Sequence, residues 1–118
     1  MKLRIQGNTL RLRLSKTEVD TFAQNGLVKE HTEFGDTSLT YLLESTDKKN
    51  VTATFEMNVI RIGVPESIKT QWTTTVQVGF DAIVKFGKQK LEVLVEKDFQ
   101  CLVPRKEDES DLYVNPRA

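Results

Sequence analysis

Apolar residues recur at every second position in several short stretches of this chain, and at helical spacing in two others. Lys2 to Ile5 alternates polar and apolar, Gly7 and Asn8 supply a turn, and Leu10, Leu12 and Leu14 resume the two-residue period. That pattern predicts a β-hairpin. The stretch "SKTE" that follows matches a capping box, in which the Ser15 hydroxyl accepts from an exposed helix N–H while Glu18 reaches back to the Ser15 N–H. Val19, Phe22 and Ala23 then share one helical face and Asn25-Gly26 stops it, so a short helix is expected over 16–24. Leu27–Phe34 and Leu39–Glu44 read as two strands joined through the turn formers "GDTS". After a polar break from Asp47 to Asn50, alternation returns at Val51, Ala53, Phe55 and Met57. It changes phase near Met57-Asn58 and continues from Val59 to Ile62, a second hairpin. Pro65 suits the first position of a helix, on which Ile68 and Trp72 share a face. Alternation from Val76 to Phe86 is the strongest strand signal, and "GKQK" turns it into a last strand, Leu91 to Phe99.

The order is therefore ββαββ, twice, and the repeat can be tested on residues. Shifted by about 50 positions, "NTLRLRLSKTEVDTF" lies on "NVIRIGVPESIKTQW": Asn8 meets Asn58, Arg11 meets Arg61, and Phe22 meets Trp72. Shifted by about 52, "EFGDTSLTYLLES" lies on "KFGKQKLEVLVEK", and Phe34, Gly35, Leu39, Leu42 and Glu44 meet Phe86, Gly87, Leu91, Leu94 and Glu96. The expected fold is α+β: a duplicated ββαββ unit, 1–46 and 51–98, forming a mostly antiparallel eight-stranded barrel or strongly curved sheet. Two short helices would cover its open ends or one face. Such closure would hide the edges that a four-stranded sheet leaves unpaired. The domain is expected to span 1–103, with an acidic C-terminal tail over 104–118.

Charge narrows the partners. Seventeen acidic residues balance 17 basic ones in 118 residues, so no global field draws the protein to nucleic acid or anionic lipid. The opening "MKLRIQG" lacks the apolar core of a secretory signal and apolar runs are short, which makes the cytoplasm the expected location. The single cysteine, Cys101, fits a reducing compartment.

Three candidate chemistries remain. Lys2, Arg4, Arg11, Arg13 and Lys16 all precede the first acid, Glu18, and in a hairpin several would share a face. Like charges across a strand pair repel, so Arg4, Arg11 and Arg13, with Arg61 in the repeat, read as a face for an anionic group, either a small ligand or the acidic tail. The competing reading pairs Arg11 and Arg61 with strand acids such as Glu44 and Glu96, a pattern that the repeat would produce twice. Nucleic acid is disfavoured because only one arm is basic and no aromatics are interleaved with it. In the tail, Glu107, Asp108, Glu109 and Asp111 lack the glycine and terminal acid of a calcium loop, while Leu112, Tyr113 and Val114 suggest docking on the same or a neighbouring molecule, as in a homodimer.

Nothing in the sequence brings Cys101 and His31 together as nucleophile and base, with Asp98 to orient the histidine. No phosphate-cradling glycine loop, GxSxG, HExxH or CxxC occurs, so no metal or cofactor is expected. The main expectation is a non-enzymatic binding module. The alternative is a small barrel enzyme using Glu44, Glu96 and Asp98 as buried acid or base groups. Trp72, Phe55 and Phe80 read as core.

The opening "MKLRIQGNTLRLRLSKTEV" and the ending "LVEKDFQCLVPRKEDESDLYVNP" resemble a family of small uncharacterised bacterial proteins of about this length. The resemblance covers nearly the whole chain and implies a bacterial, cytoplasmic, single-domain origin. It carries no activity, ligand or functional residue across.

Overall fold

Each alternating stretch forms a strand and both helical stretches form helices. The computed structural model, which describes residues 1–99 and 110–114, runs β1 (Lys2–Gln6), β2 (Thr9–Leu14), α1 (Lys16–Asn25), β3 (Leu27–Phe34), β4 (Thr37–Thr46), β5 (Thr52–Glu56), β6 (Val59–Pro65), α2 (Glu66–Thr74), β7 (Gly79–Phe86) and β8 (Gln89–Lys97). The capping box closes α1: Ser15 Oγ accepts from the Glu18 N–H, and Glu18 Oε1 accepts from the Ser15 N–H at 2.9 Å. Gly26 ends the helix in the left-handed region at φ 70°, donating its N–H to the Phe22 carbonyl. At the phase change, Met57 and Asn58 both take positive φ, the backbone of a type I′ hairpin turn.

The strands sort into two four-stranded sheets, β1-β2-β8-β7 and β3-β4-β6-β5. Each helix carries its half of the chain from one sheet to the other, so every sheet combines one hairpin from each half. The hairpins are antiparallel, but the central contacts, β2 with β8 and β4 with β6, are parallel. The expected closed, mostly antiparallel barrel is thus replaced by two mixed sheets. Closure would require an edge strand of one sheet to bond with an edge strand of the other. Among the described residues no ladder does so; the two sheets are joined instead by one apolar cluster that includes Phe22 and Trp72.

The two halves agree in register. Arg11 faces Leu94 across β2 and β8, and Arg61 faces Leu42 across β6 and β4. Loop bonds repeat as well: Glu92 N–H to the Asn8 carbonyl and Thr40 N–H to the Asn58 carbonyl, both 3.0 Å. Lys97 N–H to Val78 and Ser45 N–H to Gly26 form a second matched pair, at 2.9 and 2.8 Å. These are the correspondences at shifts of about 50 and 52 that the sequence displays. The change of shift falls in the connection before β7, where residues 75–78 replace the single Gly26. For that reason β7 begins at Gly79 and not at Val76, which is 96% exposed.

One apolar cluster joins the parts: Leu10, Leu12, Leu14, Val93 and Val95 from the first sheet, and Val28, Leu43, Ile60, Ile62 and Val64 from the second. Phe22 and Trp72, both fully buried, meet at 6.3 Å between ring centres, each occupying the same position in its half. Phe80 packs edge-on against Trp72 at 5.5 Å, and the indole N–H donates to the Val78 carbonyl at 3.1 Å. No helix of the described residues is long and apolar enough to cross a membrane.

Because Phe22 and Trp72 fill the gap between helices and sheets, truncating either to alanine should cost about 3–5 kcal/mol. Urea unfolding followed by far-UV circular dichroism measures this. The double variant should cost less than the sum, by about 0.5–1.5 kcal/mol, since the rings contact each other. Losses under about 1 kcal/mol would show that the rings are not the wedge.

Candidate functional site

Strand alternation divides the charged residues from the core. On β2, Leu10, Leu12 and Leu14 point inward and Arg11 and Arg13 outward. On the neighbouring strands Lys2, Arg4, Glu92 and Glu96 share that outer face. Arg4 is the cross-strand partner of Arg11, and Lys2 that of Arg13. Arg11 Nε lies 3.3 Å from Glu96 Oε1 and Arg13 Nε 3.6 Å from the same oxygen, so one carboxylate serves two guanidiniums. Arg11 Nε is buried without an aligned hydrogen bond, which makes its approach to Glu96 a charge contact. Lys2 Nζ pairs with the buried Asp98 carboxylate at 2.8 Å. Arg4 has no acidic partner among the described residues; its Nη2 donates to Gln6 Oε1 at 3.3 Å. Glu92 and Asp81 lie on this face and form no ion pair with the arginines. A shallow hollow of about 160 Å³ is lined by Arg4, Gln6, Thr9 and Arg11.

Arg61 lies elsewhere, on the outer face of the other sheet, so the four arginines do not form one surface. Its Nη1 donates to both oxygens of Glu44, at 3.1 and 2.9 Å. The pairing is the repeat's counterpart of Arg11 with Glu96, but here the charge count is one to one. Where the first sheet has Lys2, Arg4 and Arg13, the second has Thr52, Thr54 and Gly63. A side chain at Gly63 would collide with Thr52 and Thr46, a Cβ falling 2.4 Å from Thr52 Oγ1 and 2.8 Å from Thr46 Cγ2. Close packing there excludes a second arginine.

Glu44 and Glu96 both sit on these outer faces, and Glu44 with Arg61 lines an open hollow of about 500 Å³. His31 is exposed on β3, with Nδ1 2.8 Å from the Thr40 hydroxyl of the neighbouring strand. Glu107, Asp108, Glu109, Cys101 and the expected boundary after residue 103 lie outside the described residues.

Asp111 and Tyr113 are described, and they contact α1 and β8. The Asp111 carbonyl accepts the Lys16 N–H at 3.0 Å, and Asp111 Oδ1 accepts from the Thr17 N–H at 3.3 Å and the Thr17 hydroxyl at 2.9 Å. The side chain therefore occupies the start of α1, where exposed N–H groups favour an anion. Leu112 is buried, and the Tyr113 N–H donates to the Asp98 carbonyl at 2.8 Å. The Tyr113 ring lies 5.6 Å from Lys97 Nζ and 5.9 Å from Lys16 Nζ, within cation–π reach. Burial lowers the Lys97 pKa, and its Nζ donates to the Thr75 carbonyl at 2.7 Å. Burial raises the Tyr113 pKa, and nearby Asp20 and Asp111 add to the rise. Glu18, also at this helix start, has its pKa raised by burial, but the Met1 ammonium and the Ser15 N–H outweigh that and hold it low.

The third feature escaped the sequence reading. At the end bearing all four hairpin turns the sheets stand apart, leaving a cleft of about 480 Å³ lined by residues including Ile5, Leu10, Leu39, Phe55, Phe86 and Leu91. Phe55, expected in the core, is 67% exposed because its inward direction leads into this cleft, beyond the reach of the helices. The available signal was a large apolar residue of inward phase beside each hairpin turn: Ile5, Phe34, Phe55 and Phe86.

The class these features define is a two-sheet α+β protein with an ion-paired outer face on each sheet and an open apolar end, and they do not specify a reaction. The chain belongs to a family of unknown function, DUF7009, whose model matches residues 1–117. That agrees with the resemblance of both ends of the chain to an uncharacterised family. No curated protein and no solved structure matches it.

The Asp111 carboxylate supplies two of the hydrogen bonds that join 110–114 to α1. Hydrogen bonds from the Ser15 and Thr17 side chains are the main causes holding its pKa below the ordinary carboxylate value. A depressed folded pKa means that the contact is complete above the ordinary value and is lost as pH falls through the lower one. Asp111→Ala should reduce amide-exchange protection at Lys16 and Tyr113 on the order of tenfold at neutral pH. Wild-type protein should lose the same contact only below about pH 4. Unchanged protection in the variant would mean that the segment is held by Leu112 and Tyr113 alone.

Proposed function

We propose that this protein is a binding module without catalytic chemistry, and that it recognises a phosphate- or carboxylate-bearing ligand on the outer face of the β1–β2 hairpin. The observation that carries the reading is the imbalance of charge at Arg4, Arg11 and Arg13. Two guanidiniums oppose each other across the strand pair, a third is adjacent, and Glu96 is the one carboxylate in contact with them among the described residues. Cross-strand like charges cost stability, and an anion between Arg4 and Arg11 would remove that cost. The planar forks of the two side chains suit a group with two or three equivalent oxygens. Gln6 and Thr9, which also line the hollow, add neutral hydrogen-bonding groups. The equivalent place on the other sheet is charge-balanced through Arg61 and Glu44, so this chemistry belongs to one sheet only.

The enzyme alternative has less support. Of its three carboxylates, Glu44 and Glu96 are bound to arginines on the outer faces, and Asp98 is bound to Lys2.

Titration with inorganic pyrophosphate and with citrate at low salt, followed by amide chemical shifts, tests the proposal. Shifts should concentrate between Arg4 and Arg11 and weaken as salt is added. Arg4→Gln should reduce affinity about tenfold or more with no loss of stability, since it removes a charge-assisted hydrogen bond to the ligand and no ion pair of the protein. Absence of localised shifts, or an Arg4→Gln protein that binds like wild type, would refute the reading.

A further inference from the structure

The hairpin end combines two properties that point to a single occupant. The first is exposed apolar surface. Ile5, Phe34, Phe55, Met57 and Phe86 are 61%, 64%, 67%, 93% and 47% exposed, and all flank the four turns around the cleft. Large apolar residues gathered on one face mark an interaction surface.

The second property is a reversal of charge between the two sheets. The strand registers at this end obey the correspondence between the halves, but the charges do not. Lys85, Lys88 and Lys90 line the rim of the first sheet, with Lys85 and Lys90 facing each other across β7 and β8. Their counterparts on the second sheet are Glu33, Asp36 and Ser38, and Glu56 stands there where the first sheet has Gln6. All six charged side chains are exposed, and among the described residues none of them forms an ion pair. One rim is basic, the other acidic, and an apolar strip separates them.

From this we infer that the hairpin end is the interface of a homodimer in which two copies meet end to end. A twofold axis running between the sheets and parallel to them sets the basic rim of each copy against the acidic rim of the other. The same rotation brings the two apolar strips together. The contact is isologous, so each lysine–acid pairing occurs twice and the assembly closes at two subunits. A twofold axis perpendicular to the sheets would set Glu56 of each copy against Glu33 and Asp36 of the other and leave the lysines without facing acids, so charge disfavours it. A second copy is favoured over an apolar small molecule because the small molecule would leave both charged rims, and Met57, without a role.

The mass in solution at ~100 µM, where an interface of micromolar affinity is occupied, gives the first test. Wild-type protein should have twice the 13.5 kDa of one chain. The triple variant Lys85→Glu, Lys88→Glu, Lys90→Glu should be monomeric, and so should Glu33→Lys, Asp36→Lys, Glu56→Lys. Mixing the two variants should restore a dimer containing one chain of each, since every rim then meets its opposite. A wild-type monomer, with or without a co-purified apolar ligand, overturns the inference, and so do dimers of either triple variant or a mixture that stays monomeric. If a triple variant does not fold, zero-length carbodiimide cross-linking of mixed isotopically light and heavy wild-type chains decides. Inter-chain links should join Lys85, Lys88 or Lys90 to Glu33, Asp36 or Glu56, and their absence overturns the inference as well.

Discussion

The structure depends on the way each helix crosses from one sheet to the other. In each half the chain leaves a parallel central strand, forms a helix of two to three turns and enters an edge hairpin of the opposite sheet. Neither half can therefore bury its apolar side alone, because its two hairpins belong to different sheets. Phe22 and Trp72 stand where the two crossings meet, and their contact joins the halves. At the opposite end, where the hairpins turn, the cleft lined by Phe55 and Phe86 stays open. The burial of two rings at one end and the exposed apolar strip at the other are consequences of one arrangement.

Charge is distributed on this frame with less symmetry than the backbone. Arg11 with Glu96 and Arg61 with Glu44 are the conserved element of the internal repeat, one ion pair on each outer face. Around them the halves diverge. The first sheet adds Lys2, Arg4 and Arg13 on one hairpin and three lysines at the rim, while the second substitutes small residues and acids. Exposed ion pairs contribute little to stability, so these positions can differ between halves at small cost to the fold. Such freedom is what the binding role proposed for the β1–β2 hairpin would use.

Much of this was legible in the sequence. The two-residue period of Leu10, Leu12 and Leu14 placed Arg11 and Arg13 on the outer face, and "SKTE" placed the start of α1 to the residue. The shifts of about 50 and 52 correspond to the ladder registers. Which strands become neighbours was not legible, because alternation tells a strand which face is buried and says nothing about its partner; the parallel contacts of β2 with β8 and β4 with β6 arise from the crossing of the helices. Phe55 misled for a related reason, since inward phase means burial only where the opposite sheet is close enough to cover it. The burial of Lys97 and Asp98 was also hidden. It results from their position at the end of β8, beneath the segment that carries Leu112 and Tyr113.

The most direct test of the architecture is the detection of backbone hydrogen bonds by through-bond NMR couplings. The exchange of hairpins between sheets requires the Glu92 N–H to couple with the Asn8 carbonyl and the Thr40 N–H with the Asn58 carbonyl, each joining one half of the chain to the other. Observation of both couplings would establish the pairing of β2 with β8 and of β4 with β6. Couplings that instead join β2 to β3 or β4, or β6 to β7 or β8, would put both hairpins of a half in one sheet and contradict the account.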